Sequence, residues 1–154
     1  MNKKLKIAFI GSRGYPYVYS GYETLVKELS ERLIKNGHHV SVYCHRYLFN
    51  SRPKNVNGIK LIYTPSIKSK SLSQLYNSFF SFLHACFSDI DVILVVNTAN
   101  GPFGILTRIF RKKTCINVDG LEWLRPKWNG LGLYYFKLSS YLSTIFFDEI
   151  ITDS

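Results

Sequence analysis

The chain has 154 residues, room for one domain and hardly for two. Hydrophobic residues make up 46%, which excludes a disordered tail and gives a domain of this size a core to bury. Twenty Lys and Arg against ten Asp and Glu leave +10 at pH 7, and that excess asks for a polyanionic neighbour: nucleic acid, an anionic membrane surface or a phosphorylated substrate.

Leu5–Ile10 is a short apolar run ending at Gly11 and reads as a buried strand. Lys3, Lys4 and Lys6 imitate a signal peptide, but the apolar run Ile7 to Ile10 is far shorter than a secretory core of about 7–15 residues. Tyr22, Leu25, Val26, Leu29 and Leu33 share one face of a helix over Gly21–Lys35. Glu23/Lys27, Glu28/Arg32 and Glu31/Lys35 are i,i+4 pairs on its other side. Ser20 with Glu23 predicts a capping box, and Asn36-Gly37 ends the helix. His39–Cys44 is a second strand. Ile59–Tyr63 is a third, after a polar loop containing Arg52-Pro53-Lys54 and Asn57-Gly58.

Ser71–Phe87 reads as a helix with Leu72, Leu75, Tyr76, Phe79, Leu83 and Cys86 on one face, which Phe80, Phe82 and Phe87 widen beyond a normal stripe. Lys68 and Lys70 precede it, so part of that apolar excess is expected at an anionic lipid surface. Asp91–Val96, apolar on both sides, suits a parallel sheet. Pro102–Phe110 is a short helix ended by Arg111-Lys112-Lys113, Thr114–Val118 a strand, Leu131–Phe147 a helix, and Glu149–Thr152 the start of another strand. Leu131–Phe147 is too interrupted, by Lys137 and by Ser and Thr, to supply the roughly 20 apolar residues of a membrane span. Cys44, Cys86 and Cys115 are odd in number, lack C-x-x-C spacing and sit in apolar runs, as buried thiols of a cytoplasmic protein do.

Strands alternating with helices predict right-handed βαβ units in a doubly wound parallel sheet, with ligands at the carboxyl ends of the strands. The residues to examine therefore follow the strands: 11–21, 44–46, 97–104 and 119–130. The loop Gly11-Ser12-Arg13-Gly14-Tyr15-Pro16 leads to Ser20-Gly21-Tyr22-Glu23, and such glycines let backbone N–H groups approach a phosphate at a helix start; Arg13 adds charge. The G-x-G-x-x-G dinucleotide fingerprint is missing, Cys44-His45 stand where its acidic residue belongs, and no Walker loop is present. Asp89-Ile90-Asp91 matches D-x-D but lies at the wrong end of its strand for a metal site and suits a turn.

Asn117-Val118-Asp119-Gly120-Leu121-Glu122-Trp123, running on into Arg125-Pro126-Lys127-Trp128-Asn129-Gly130, is the densest functional segment. Carboxylates bind hydroxyls, indoles stack on pyranose faces, and bases hold diphosphate, so the mixture suits a sugar and its phosphate. The competing reading is a rigid surface loop anchored by Trp packing. His38 and His39 are structural, and His45 is a secondary candidate at a strand end. None of the four His is spaced as a metal ligand.

These blocks, together with Gly37-His38-His39-Val40-Ser41-Val42-Tyr43-Cys44, resemble the N-terminal domain of family 4 glycosyltransferases over essentially the whole chain. The nearest subgroup is the bacterial rhamnosyltransferase-like set of the DUF1972 type. The resemblance implies an α/β fold, a Rossmann-like doubly wound parallel sheet forming the N-terminal, acceptor-side half of a GT-B fold, with a C-terminal donor domain outside residues 1–154. It implies a retaining, metal-independent glycosyltransferase without a cofactor, whose helix dipole and basic side chains stabilise the leaving diphosphate. The expected activity is transfer of a sugar, rhamnose from a nucleotide-sugar donor, to a saccharide on a polyprenyl diphosphate during bacterial surface polysaccharide synthesis. The expected place is the cytoplasmic face of the cell membrane, bound peripherally to anionic lipid; nucleic acid is not an expected partner.

By the same resemblance Asp119 is the catalytic candidate, binding a sugar hydroxyl or orienting the acceptor. Arg13, Gly14, Gly21, Glu23, Glu122, Arg125 and Lys127 are the substrate-binding set, Gly14 and Gly21 as glycines near the donor diphosphate and Glu23 as the acid of the family's helix start. Ser20 departs from the family pattern, which has glycine there. The chain stops just past a strand, at Asp153-Ser154, as the first half of something larger would, and alone it is expected to fold without transferring sugar. The rivals are a non-catalytic remnant or binding module with the same fold, a basic nucleic-acid binder without a recognisable signature, and an NAD-dependent sugar-modifying enzyme without its fingerprint.

Overall fold

The first strand, β1 (Lys6–Ile10), sends Ile7 and Phe9 to one side of the sheet and Ala8 and Ile10 to the other, because side chains alternate along a strand. This is seen in a computed structural model, which describes residues 3–16, 20–69, 72–126 and 128–152. The chain continues as α1 (Gly21–Lys35), β2 (His39–His45), β3 (Asn55–Val56), β4 (Ile59–Thr64), α2 (Leu72–Cys86), β5 (Val92–Val96), α3 (Gly104–Ile109), β6 (Lys113–Val118), α4 (Gly130–Phe146) and β7 (Glu149–Thr152). One seven-stranded sheet runs in the order β3-β4-β2-β1-β5-β6-β7. Every described pairing is parallel except β3 with β4.

Strand order therefore grows from β1 toward β2 and β4, then reverses and continues from β1 to β5, β6 and β7. Phe9 sits opposite Val42 of β2 and Leu94 of β5 at this centre. The helix α1 covers one face through Val26, Leu25, Leu29 and Leu33, packed on Ile7, Phe9, Val40 and Val42. The other face is covered by Phe82 and Ala85 of α2, Leu106 of α3, and Phe146 and Phe147 at the end of α4, packed on Ala8, Ile10, Ile93, Val95 and Ile116. This is the doubly wound arrangement the strand-helix alternation predicts.

Three sequence expectations are corrected. Asn57-Gly58 is the turn of a β3–β4 hairpin rather than part of a plain loop, with both residues at positive φ (52° and 81°). The helix expected over Pro102–Phe110 is a 3-10 turn, Thr98–Phe103, followed by the shorter α3. Close packing on α4 sets that break: a Cβ added at Gly101 would lie 2.0 Å from the Ser139 carbonyl oxygen, and Ser139 Oγ donates to the Thr98 carbonyl at 2.5 Å. The widened face of α2 is also divided differently. Phe82 is core, ringed by Phe103 and Phe147, and Phe80 is half-buried, while Tyr76, Phe79 and Phe87 are exposed.

A broader apolar surface lies on α4, where Leu131 (89% exposed), Tyr134, Leu138 and Tyr141 face outward, and on α3 through Ile105 and Ile109. Among the described residues no helix is long and apolar enough to cross a membrane. Cys44 and Cys86 are buried and Cys115 is partly so, and burial pushes each thiol pKa up. Asp91 Oδ2 accepts the Lys6 backbone N–H at 2.8 Å, and Asp89 pairs with the Lys6 ammonium. Both carboxylates thus serve the amino end of the sheet, away from the ligand face.

Candidate functional site

A crevice opens where the strand order reverses, between the carboxyl ends of β1 and β5. Gly11 leaves β1 at φ 105°, and a Cβ there would lie 2.1 Å from the Val96 carbonyl oxygen, so glycine lets the two strand ends close on each other. Arg13 follows. Its backbone N–H donates to Glu23 Oε1 at 2.9 Å, and its carbonyl accepts from the His45 N–H at 3.1 Å. The loop is thereby tied to α1 on one side and β2 on the other. Glu23 also accepts from the Ser20 hydroxyl. The predicted capping box does not form: Ser20 makes no side-chain bond to the helix amides, because Glu23 reaches across to Arg13.

Arg13, Ser20, Gly21, Tyr22, Asn97, Asp119, Glu122 and Arg125 line a cleft of about 520 Å³, within the range of small-ligand sites. Gly21 is the first residue of α1, and nothing lies within 4 Å of where its Cβ would sit. The helix start therefore presents its partial positive charge to open space. Asp119 comes off the end of β6. Arg125 donates from Nη2 to Asp119 Oδ2 at 2.5 Å and from Nε to Glu122 Oε2 at 2.7 Å, so one guanidinium holds both carboxylates. The indole N–H of Trp128 donates to Glu122 Oε1 at 3.0 Å. Burial first, then the Asp119 and Glu122 carboxylates, hold the Tyr22 phenol well above its ordinary range; it stays protonated beside the acids.

A second, more aromatic cavity of about 520 Å³ shares Arg13, Asn97 and Glu122 with the cleft. Trp128, Tyr135, Phe136 and Leu131 form its apolar wall. A Cβ at Gly132 would lie 2.9 Å from the Trp128 ring, so this glycine makes room for the indole against α4. The Trp128 and Phe136 rings are 4.3 Å apart, and Tyr135 donates to the Ala99 carbonyl at 2.7 Å. Aromatic faces next to the Glu122 carboxylate and the Arg13 cation can take a sugar ring and its hydroxyls.

Of the sequence candidates, Arg13, Gly21, Asp119, Glu122 and Arg125 meet in this cleft. Glu23 lies beneath it, holding the Arg13 backbone. Gly14 does not line it: a Cβ there would be 2.8 Å from Cys44 Sγ, so packing under the loop asks for glycine at this position, at φ 130°. Lys127 lies outside the described residues. Asn97 was missed as an individual residue. It holds a strained φ of 76° at the end of β5, and its side-chain oxygen accepts the Ala99 N–H at 2.9 Å. With ψ 119° the residue also lies outside the left-handed helical region, and its place directly after an apolar strand was the available signal.

The sequence matches the family described as "Domain of unknown function (DUF1972)" over residues 4–154. No curated protein matches it. Among solved structures, the chain is similar to sucrose-phosphate synthase from Thermosynechococcus elongatus, with a TM-score of 0.66 at 15% identity. The match covers 97% of this chain and 47% of that one, so the chain spans about half the length of the relative it resembles. That likeness shows the fold, a Rossmann-like half of the GT-B architecture.

Proposed function

The chain belongs to the DUF1972 family, and from that premise we propose that it is the acceptor-side half of a glycosyltransferase. The reaction is transfer of a deoxyhexose, rhamnose, from a nucleotide-sugar to a saccharide carried on a polyprenyl diphosphate in surface polysaccharide synthesis. The observation that carries this reading is the meeting of Arg13, the open start of α1 at Gly21, and Asp119 in one cleft at the strand-order reversal. A donor domain beyond this half closes the cleft from the opposite side.

In this reading the diphosphate rests against the α1 start, with the Arg13 guanidinium beside it. As the bond from the sugar C1 to the phosphate oxygen breaks, the acceptor oxygen bonds to C1 with retention, and its proton leaves on the phosphate. The helix dipole and Arg13 offset the charge that grows on the diphosphate, so the chemistry asks for no resident metal. Asp119 accepts a sugar hydroxyl, while Arg125 fixes its rotamer and keeps Glu122 in line. Trp128 offers a stacking face to the acceptor. The exposed apolar residues of α2, α3 and α4, with the net basic charge, support the reading that the domain works at the anionic inner face of the membrane, where a lipid-borne acceptor would reside.

The test is an amide NMR titration of the chain with dTDP and with a rhamnose-terminated disaccharide. The reading expects saturable shifts at Arg13, Gly21, Asp119 and Arg125. Shifts scattered over the surface, or none at these four, contradict it.

A further inference from the structure

The cleft and the aromatic cavity beside it share three lining residues, Arg13, Asn97 and Glu122. We infer that Asn97 is a substrate-binding residue, whose side-chain Nδ2 donates a hydrogen bond to a hydroxyl oxygen of the sugar held where the two cavities meet. The inference rests on the acceptor-half reading and names one contact within it.

The other two shared residues are committed to different tasks. Both Glu122 oxygens are taken, Oε2 by Arg125 Nε at 2.7 Å and Oε1 by the Trp128 indole at 3.0 Å. The Arg13 guanidinium carries a full charge and suits a phosphate better than a neutral hydroxyl. Asn97 is neutral and half-buried. Its Oδ1 accepts the Ala99 N–H at 2.9 Å. That partner is a donor, so the oxygen end of the amide faces the turn and the NH2 end faces away from it. The NH2 group meets no acceptor among the described residues and is not sealed from solvent.

The backbone supplies an independent observation. Asn97 holds φ 76° with ψ 119°, a rarely populated combination. The turn after it is tied down on several sides. The Asn100 N–H donates to the Asn97 carbonyl at 3.1 Å, and Asn100 Nδ2 donates to the Val96 carbonyl at 2.7 Å. From α4, Ser139 holds the Thr98 carbonyl and Tyr135 holds the Ala99 carbonyl. Such surroundings over-determine the residue and fix the direction of its side chain. Asp119 lines the same cleft as an acceptor, so carboxylate and amide together can take the proton and the oxygen of sugar hydroxyls.

The experiment follows the Asn97 side-chain ¹H–¹⁵N resonances while a rhamnose-terminated disaccharide is titrated into the chain. They should move along the same saturation curve as the Asp119 and Arg125 backbone amides. Asn97→Asp keeps the acceptor for the Ala99 N–H and nearly the same shape but loses the donor, and its Kd should rise about tenfold at unchanged Tm. Asn97→Gly admits the positive φ and adds no charge, and it should weaken binding to a similar extent. Side-chain resonances that stay in place while the Asp119 and Arg125 amides shift, or equal binding by wild type and both variants, would overturn the inference and leave the acceptor-half reading standing. Weakening in Asn97→Asp alone would assign the effect to the added charge and also overturn it. No shift at any of these positions would overturn the acceptor-half reading, and the inference with it.

Discussion

His45 gives the fold a calculable sensitivity to acid. Burial, and next the Arg13 charge, lower its pKa from 6.5 to about 4, so between those values the unfolded chain takes a proton that the folded chain refuses. A folded-state pKa below the unfolded one means stability is complete above pH 6.5 and falls as pH drops toward 4. The full shift is worth about 3 kcal/mol, of which about 2 kcal/mol is lost between pH 7.5 and pH 5. With a urea m-value of about 2 kcal/mol per molar, the wild-type midpoint should fall by about 1 M from this residue alone. Carboxylates also titrate near the lower limit, so the quantity to read is the gap between wild type and His45→Gln. That gap should shrink by about 2 kcal/mol, or invert, as pH falls from 7.5 to 5, because the variant carries no proton there. A gap that stays constant over this range would show that His45 is hydrated in solution, and the account of its surroundings would be wrong.

The two loop glycines should separate packing from binding. Gly14→Ala places a Cβ against Cys44 at φ 130° and should cost about 2–4 kcal/mol in urea unfolding. Gly21→Ala enters open space and should change stability by no more than about 0.5 kcal/mol while weakening diphosphate binding. Equal destabilisation by both would remove the distinction. Asp119→Asn, in the enzyme with both halves, should lower transfer about 100-fold at unchanged Tm; an unchanged rate would take Asp119 out of the chemistry. Co-sedimentation with vesicles should require anionic lipid and weaken in salt, and Leu131→Ser with Tyr134→Ser should reduce it further. Equal binding to neutral vesicles would remove the electrostatic part.

The bounds of helix α1 were legible to the residue, since its apolar positions repeat at helical spacing and Asn36-Gly37 ends it, but of the three expected ion pairs only Glu28/Arg32 forms: Glu23 is buried and takes the Arg13 N–H, and Lys27 pairs with Glu31 instead. The parallel strands were legible within a residue or two because each is a short, mostly apolar stretch rich in Val and Ile or aromatic residues and lies between turn residues and helices. The hairpin at Asn57-Gly58 was not, because β3 is a two-residue strand and offers no alternation to read. The split between Thr98–Phe103 and α3 depends on how closely Gly101 meets Ser139, 38 positions later, and no local propensity records that. Much the same holds for the site. Asp119, Glu122 and Arg125 stood out by type and place, but one guanidinium holding both acids is a matter of geometry. The buried surroundings of His45, with Ser73 at 3.3 Å from Nδ1, appear only once β2 and α2 are brought together.

The most direct test of the glycosyl-transfer account is product formation. The chain joined to its donor half is incubated with dTDP-[¹⁴C]rhamnose and a bacterial lipid extract, and label is counted in the organic phase. The account predicts lipid-phase label that disappears in Asp119→Asn and is not made by residues 1–154 alone. Absence of lipid-phase label with dTDP-rhamnose and with every other nucleotide-sugar tried, from a folded two-domain protein, would contradict it.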